Sequence, residues 1–144
     1  MSATGGWRLR VMTPADYDAV IALWRGCEGI GLTESDTRPA IAAYLARNPD
    51  MSFVAEAGGR LVGAVLGGHD GRRGYLHHLA VEPAWRRRGL GRELTDAVLA
   101  RLHAEGMLKC NLFLYGHNET GRAFWTRQGW KARGDLVLMQ KPLA

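Results

Sequence analysis

The sequence has little of what marks a secreted, metal-binding or membrane-spanning protein. Only two of its 144 residues are cysteines, Cys27 and Cys110, and neither has a cysteine or histidine at zinc-ligand spacing. Apolar runs are short and interrupted by charge, far below the roughly 20 residues that cross a bilayer. The first ten residues lack the apolar core of a signal peptide. We therefore expect a cytoplasmic protein without metal or membrane contact, whose cysteines are buried small hydrophobes.

The residues that are present are typical of one globular domain. Hydrophobic residues make up 47% of the chain and charged residues 23%. No repeat, low-complexity tract or linker divides the sequence, so we predict a single domain over residues 1–144. The net charge of +5 indicates an anionic partner, which could be nucleic acid, a membrane surface or a phosphorylated small molecule.

Apolar periodicity and turn residues predict alternating helices and strands. The first elements are an edge strand over 7–11, a helix from the capping box of Thr13 and Asp16 to about Arg25, and a helix capped by Ser35 or Asp36 and ended by Asn48-Pro49. A three-stranded antiparallel meander over 51–81 follows, and then a helix over 90–105 stopped by Gly106. The last elements are the strand CNLFLY, the short helix NETGRAFWTRQG and the final strand DLVLMQK.

One pair of strands should run parallel. The last meander strand, the helix from residue 90 and CNLFLY form a strand-helix-strand crossover, and such units are almost always right-handed and parallel. We therefore predict an α/β fold with a mostly antiparallel central sheet, one parallel pair joined by a helix, and helices on both faces.

The segment RRRGLG lies where this crossover helix begins. A helix N-terminus has free backbone N–H groups and about half a positive charge. Gly89 and Gly91 allow a tight turn and close approach of a ligand, and arginine side chains suit phosphate oxygens. The alternative is a solvated basic face with glycines that only turn the chain. The segment lacks the Lys-Ser/Thr pair of a P-loop and the third glycine of a dinucleotide fingerprint, so we expect a different phosphorylated ligand.

The string LAVEPAWRRRGLGRELT resembles the acyl-CoA-binding motif of the GNAT superfamily of N-acetyltransferases, in particular its small stand-alone bacterial members. In that family a strand precedes Arg/Gln-x-x-Gly-x-Gly/Ala, a pattern that Arg86, Gly89 and Gly91 match. Downstream, NETGRAFWTRQGW is similar to the family's Asn-x-x-x-x-Ala-x-Tyr-x-x-x-Gly-Phe segment. The order of elements along nearly the whole chain also fits.

The resemblance implies acetyl-CoA as the cofactor. The pyrophosphate would bind the amides of the loop, and the pantetheine arm would pair with the preceding strand as an added strand. Asn118 would hydrogen-bond the arm where the parallel strands part. The cofactor-binding residues implied in this way are Leu79, Ala80, Val81, Arg86, Arg87, Arg88, Gly89, Leu90, Gly91, Arg92, Asn118 and Phe124.

Acetyl transfer to an amine needs a group that accepts the amine's proton. On the strand GYLHHLAV, regular alternation would put Tyr75, His77 and Leu79 on one face and His78 on the other. We predict His77 as the general base, directly or through water, with Tyr75 beside it, and a backbone N–H near Leu79 as a donor to the carbonyl oxygen. Either histidine could instead be a hydrogen-bonded structural residue.

The family's usual general acid is a tyrosine seven residues after the asparagine, and this sequence has Trp125 there. Indole does not give up its proton near neutral pH, so water or Tyr115 would protonate the thiolate, and Trp125 is explained as core packing. In the family the loop after the first helix lines the acceptor site. Glu28, Glu34 and Asp36 in that loop could hold a cationic amine, or serve as helix caps.

These observations predict an acetyl-CoA-dependent N-acetyltransferase that acts on a primary amine of a small molecule or a peptide, as a monomer or homodimer. An acyl-CoA-binding protein with little catalysis is the second hypothesis, because of Trp125. A basic nucleic-acid-binding domain is the third, and no aromatic stacking platform or recognition-helix pattern accompanies its arginines. We therefore expect no nucleic-acid partner.

Overall fold

The computed structural model describes residues 5–144, which form two compact units that end and begin between Phe113 and Leu114. The first unit contains the strands β1 to β5 and the helices α1 to α3, and the second contains α4. Their bounds are β1 Arg8–Val11, α1 Tyr17–Arg25, α2 Arg38–Arg47, β2 Phe53–Ala57, β3 Arg60–His69, β4 Gly74–Val81, α3 Leu90–Ala104, β5 Cys110–Leu112 and α4 Glu119–Arg127. The assignment of 1–144 to a single domain stays a prediction.

The first unit is built on one five-stranded sheet in the order β1-β2-β3-β4-β5. The pairs β1–β2, β2–β3 and β3–β4 are antiparallel, and β4–β5 is parallel with α3 as the crossover. The predicted fold class, including the meander and the single parallel pair, is therefore confirmed.

Helices cover both faces of the sheet. A Cβ atom on Gly63 of β3 would come 2.9 Å from Leu94 of α3, and one on Gly68 would come 2.5 Å from the Tyr44 hydroxyl of α2. Since positions 63 and 68 face opposite ways along a strand, α3 packs on one face and α2 on the other. On the α2 face, α1 buries Trp24 completely in the core.

The N-terminal cap predicted for the first helix is present, whereas the one predicted for the second helix is corrected. Asp16 accepts the Thr13 N–H at 2.8 Å, so the predicted capping box is present, at a 3-10 turn over Pro14–Asp16 that leads into α1. The cap of α2 is Thr37, whose hydroxyl accepts the Ala40 N–H at 3.3 Å. The prediction of Ser35 or Asp36 was wrong because the chain makes a separate 3-10 turn over Glu34–Asp36 first.

The second unit, Leu114–Ala144, contains α4 and no strand. The predicted strand DLVLMQK was therefore wrong, and β5 ends at Leu112, short of the predicted CNLFLY. A strand needs a hydrogen-bonded partner, which residues 114–144 do not contain on their own. Among the described residues, no helix is both long and apolar enough to cross a membrane.

Candidate active site

Strand β4 parts from β5 halfway along its length. The two strands are paired only at Gly74, Tyr75 and Leu76. From His77 to Val81 the backbone has β3 on one side and, within residues 5–113, no strand on the other. Unpaired N–H and C=O groups on such an edge can pair with an extended ligand.

After the open edge of β4, the chain enters the loop that contains the segment RRRGLG. A 3-10 turn over Pro83–Trp85 leads to Arg87 and Gly89, both left-handed with φ of 63° and 88°. Gly89 is the N-cap of α3, and nothing lies within 4 Å of the place where its Cβ would be. Left-handed turns of this kind direct backbone N–H groups into anion-binding concavities. The helix dipole adds positive potential at the same point.

The arginine side chains of the loop have different surroundings. Arg86 turns back from the helix, with its Nε donating to the Val81 carbonyl at 2.9 Å and its Nη1 to Glu28 at 3.2 Å. Arg88 stacks over the Trp85 ring at 4.8 Å. Arg86 therefore fastens the loop to the end of β4, whereas Arg87 is exposed at the left-handed turn.

A β-bulge changes which side chains of β4 share a face. His77 pairs with Leu66, and Ala80 pairs with Ala64, so two residues of β4 face one of β3 between them. His78, at the bulge, has a φ of 53°, which costs a non-glycine residue about 1–2 kcal/mol. The predicted alternation was wrong at this point. His78 packs against Trp24 on the helix α1 face, beside His77.

His77 lies in an aromatic setting. Its ring is parallel to Tyr75 at 6.1 Å, near Phe113 at 6.1 Å, and edge-on to Tyr44 at 6.2 Å. Burial lowers the pKa of His77, the nearby His78 charge lowers it further, and Asp36 opposes both. His77 is therefore neutral at pH 7 and has a free lone pair.

A small pocket of about 200 Å³ opens beside His77. Burial raises the pKa of its Tyr44 hydroxyl to about 12, with a smaller contribution from Cys110, so this hydroxyl remains a hydrogen-bond donor. The pocket is lined by Tyr44, Arg47, Asn48, Gly68, His69, Asp70, Tyr75 and His77.

The three acidic residues of the loop after α1 lie in different places. Asp36 is buried, and its Oδ1 is 2.9 Å from Nε2 of His78 while its Oδ2 accepts the Thr33 N–H at 3.0 Å. Glu28 is exposed and paired with Arg86, and Glu34 is exposed in the 3-10 turn. The structure thus brings Asp36 to the histidines and Glu28 to the loop before α3.

A family model described as the acetyltransferase (GNAT) family matches residues 17–130. The chain belongs to this family. It is 32% identical over 135 residues to an acetyltransferase of Sodalis glossinidius, covering 94% of each chain. It is 35% identical over 111 residues to an acetyltransferase of Pectobacterium atrosepticum, covering 77% of this chain and 78% of that one.

Solved structures agree with the GNAT fold. The PaiA N-acetyltransferase of Thermoplasma acidophilum, in complex with coenzyme A, has a TM-score of 0.78 at 18% identity, covering 88% of this chain and 91% of that one. Ard1 of Thermoplasma volcanium has a TM-score of 0.74 at 25% identity, covering 86% and 82%. The predicted family and enzyme class are confirmed.

The remaining predicted GNAT residues belong to the second unit. Asn118 caps α4, where its side chain accepts the Gly121 N–H at 2.9 Å. Trp125 is buried between Phe124 and Trp130, as the packing interpretation expected. Tyr115 is exposed and stacked on His117. The roles of Asn118, Phe124 and Tyr115 stay predictions.

Sequence reasoning missed the pairing of His78 with Asp36 and the two aromatic residues near His77, Tyr44 and Phe113. The sequence predicts a substrate ligand or a helix cap at Asp36, because nothing in the sequence gives the register at which β4 meets the loop. The left-handed backbone of His78 could not be predicted from the sequence either, since only a few per cent of non-glycine residues adopt it, although histidine is among the types enriched there. The two adjacent histidines were the only local hint.

Proposed function

We propose that the protein is an acetyl-CoA-dependent N-acetyltransferase that acetylates a primary amine of a small molecule or a peptide. One observation carries this proposal. The edge of β4 that opens after Leu76 leads directly to the left-handed turn and the free N-terminus of α3. An extended chain that ends in a phosphate group fits such a surface, with the chain on the strand and the phosphate at the helix.

The donor set fits coenzyme A. The N–H groups from Arg87 to Arg92 would bind the pyrophosphate, with the side chain of Arg87 beside it. The backbone of Leu79 to Val81 would pair with the pantetheine arm. Arg86 would act indirectly, by holding the loop in place, since its guanidinium donates a hydrogen bond to the Val81 carbonyl. By resemblance to the family, we assign Asn118 and Phe124 to the cofactor as well.

Bound acetyl-CoA supplies the acetyl thioester. The residues of this chain would then place the amine and remove its proton. The pocket beside His77 is where we place the acceptor, because its wall carries the imidazole, Tyr75 and the Tyr44 hydroxyl. The amine nitrogen forms the new bond to the acetyl carbon, the carbon–sulfur bond breaks, and the amine proton passes to an imidazole on β4.

The leaving thiolate needs little help, because thiol pKa values lie near 8.5. Water or Tyr115 would supply its proton. For the carbonyl oxygen, a backbone N–H of the open edge near Leu79 is the proposed donor. Glu28 and Glu34 at the loop surface would attract a cationic amine to the site.

An acyl-CoA-binding protein with little catalysis is the second candidate. The observation in its favour is that Trp125 is buried among Phe124 and Trp130, where the family pattern has a tyrosine. This candidate predicts the same cofactor affinity without transfer to any amine.

The test is isothermal titration of the protein with acetyl-CoA and with coenzyme A at low and high salt, followed by a screen for amine-dependent release of coenzyme A. We expect saturable one-to-one binding that weakens as salt rises. Binding together with release on an amine supports the transferase. Binding without release on any amine favours the second candidate, and no binding of either nucleotide contradicts both.

A further inference from the structure

The bulge of β4 places a second histidine, His78, beside His77, with 6.4 Å between the ring centroids, and the surroundings of the two rings differ. The left-handed backbone turns the His78 ring onto Trp24, with 4.9 Å between ring centroids. The ring of His77 has stacking contacts and, among residues 5–144, no side-chain hydrogen bond. His78 has a hydrogen bond from Nε2 to a buried carboxylate.

Hydrogen bonds hold both the side chain and the backbone of Asp36. Asp36 is 7% exposed, and its Oδ2 accepts the Thr33 N–H at 3.0 Å. Its backbone carbonyl accepts the Tyr17 hydroxyl at 2.7 Å. The Thr33 N–H therefore holds one carboxylate oxygen, while the other lies at His78. Asp36 thus sets the orientation of the His78 ring.

The hydrogen bond also sets the tautomer of His78. An ionised carboxylate only accepts hydrogen bonds, so Nε2 of His78 carries the proton and Nδ1 keeps its lone pair. When Nδ1 takes a proton, the imidazolium that forms already has Asp36 at 2.9 Å as its counter-ion. The base histidine and the orienting carboxylate of a catalytic triad are related in a similar way, with the two ring nitrogens exchanged.

Other charged and titratable groups around the pair leave this arrangement intact. His77 lies beside His78, and a charge on His78 opposes protonation of His77. Tyr17 of α1 donates its hydroxyl to the Asp36 carbonyl, and burial raises the pKa of the Tyr44 hydroxyl of α2 to about 12. Arg38 lies over the Tyr17 ring at 4.8 Å and is paired with Asp18 at 2.5 Å.

We propose that His78, oriented by Asp36, is the general base that accepts the amine's proton at Nδ1, directly or through one water, and that His77 is a wall of the acceptor pocket. This inference rests on the proposed transferase function. As the amine nitrogen bonds to the acetyl carbon, its proton moves to His78 and the electrons of the carbon–sulfur bond leave with the sulfur. Asp36 is a positioning residue, because it acts through His78.

The test compares His78→Gln with His77→Gln. Glutamine keeps a side-chain N–H for Asp36 but cannot accept a proton at neutral pH. We would measure kcat and KM from pH 5.5 to 9.5 with phenethylamine, spermidine, L-lysine and a tetrapeptide with a free N-terminus as probes. We expect His78→Gln to lower kcat about 100-fold and to remove the acidic limb of its pH profile, with unchanged affinity for coenzyme A. His77→Gln should mainly raise the KM for the amine.

Asp36→Asn separates orientation from packing. We expect a loss in kcat of about 10-fold or more and a shift of the acidic limb to lower pH, because the imidazolium loses its counter-ion. A purely structural Asp36 would lower stability without moving that limb. If His78→Gln keeps its rate and limb while His77→Gln loses both, the base is His77, and this inference is wrong although the transferase stands.

A measurement without any acceptor tests the same geometry. In long-range ¹H–¹⁵N spectra of the wild-type protein labelled with ¹⁵N-histidine, His78 should be the Nε2–H tautomer and should lose that preference in Asp36→Asn. An Nδ1–H tautomer in the wild type overturns the inference even if a variant fails to fold. A wild-type protein that binds coenzyme A but acetylates no amine overturns the proposed function, and this inference with it.

Discussion

From Gly74 to Leu76, strand β4 lies between two strands, whereas from His77 to Val81 it has β3 as its only strand neighbour within residues 5–113. In the first half, Gly74 and Leu76 are buried. In the second half the register shifts, and His78 has a left-handed backbone. The five residues from His77 to Val81 include every β4 residue that we assign to catalysis or cofactor binding, except Tyr75. One half of the strand therefore fixes the sheet, and the other half keeps its backbone available for a ligand.

The paired half should be the more sensitive to added volume. Gly67 lies opposite Leu76, and a Cβ there would come 2.4 Å from the Met51 carbonyl oxygen and 2.6 Å from Val98. Because backbone cannot move aside as a side-chain end can, we expect Gly67→Ala to lower the free energy of unfolding by about 2–3 kcal/mol. Denaturant titration measures this. Gly26→Ala is the control, since its new methyl would meet backbone oxygen at an ordinary 3.6 Å. Equal stability of the two variants would contradict the expectation that the paired half of β4 is sensitive to added volume.

The open half should respond in ligand affinity. Gly89→Val puts a β-branched residue at a φ of 88° and places its side chain in the empty space before α3. We expect affinity for coenzyme A to fall about 10-fold or more, since both the turn and the approach to the backbone are altered. Titration calorimetry with coenzyme A measures the change.

A matched control stands at the other end of the same helix. Gly106 has a φ of 85° and equally open surroundings, so Gly106→Val carries a similar backbone strain far from the loop. Both variants should lose similar stability, and only Gly89→Val should lose affinity. A similar loss of affinity in Gly106→Val would mean that strain in α3, and not the turn itself, governs binding.

The same contrast explains what could be predicted from the sequence. The loop is encoded locally, because Gly89 and the helix start are visible as a string, and the structure has both where the motif predicted them. The face of His78 depends on a register shift that arises only when β4 pairs with β3. The partner of Asp36 depends on where a separate loop comes to lie. Periodicity predicts regular strands, so it fails at a bulge, where the departure from regularity holds the candidate chemistry.

The segment DLVLMQK, which the sequence predicts as a strand, illustrates a different limit of prediction from the sequence. Its apolar alternation satisfies the local pattern for a strand, yet Val137 and Met139 are exposed and the segment has no strand partner among residues 114–144. Local pattern states which residues can form a strand, and pairing decides whether they do.

The smallest expected effect is electrostatic and concerns the boundary between the two halves. Burial lowers the pKa of His77 below 6.5, its value in the unfolded chain, so the unfolded chain binds more protons between those two values. Stability must therefore fall as the pH drops through about 6.5, and His77→Gln should reduce that fall.

Chemical unfolding of the wild type and of His77→Gln between pH 7.5 and 5 measures the difference, with the exposed histidine variant His103→Gln as the control. Carboxylates such as Asp16 contribute equally to each protein and cancel in the comparison. If His77→Gln and His103→Gln follow the wild type in parallel, His77 is not desolvated, and the aromatic wall assigned to the acceptor pocket is more open to water than its neighbours imply.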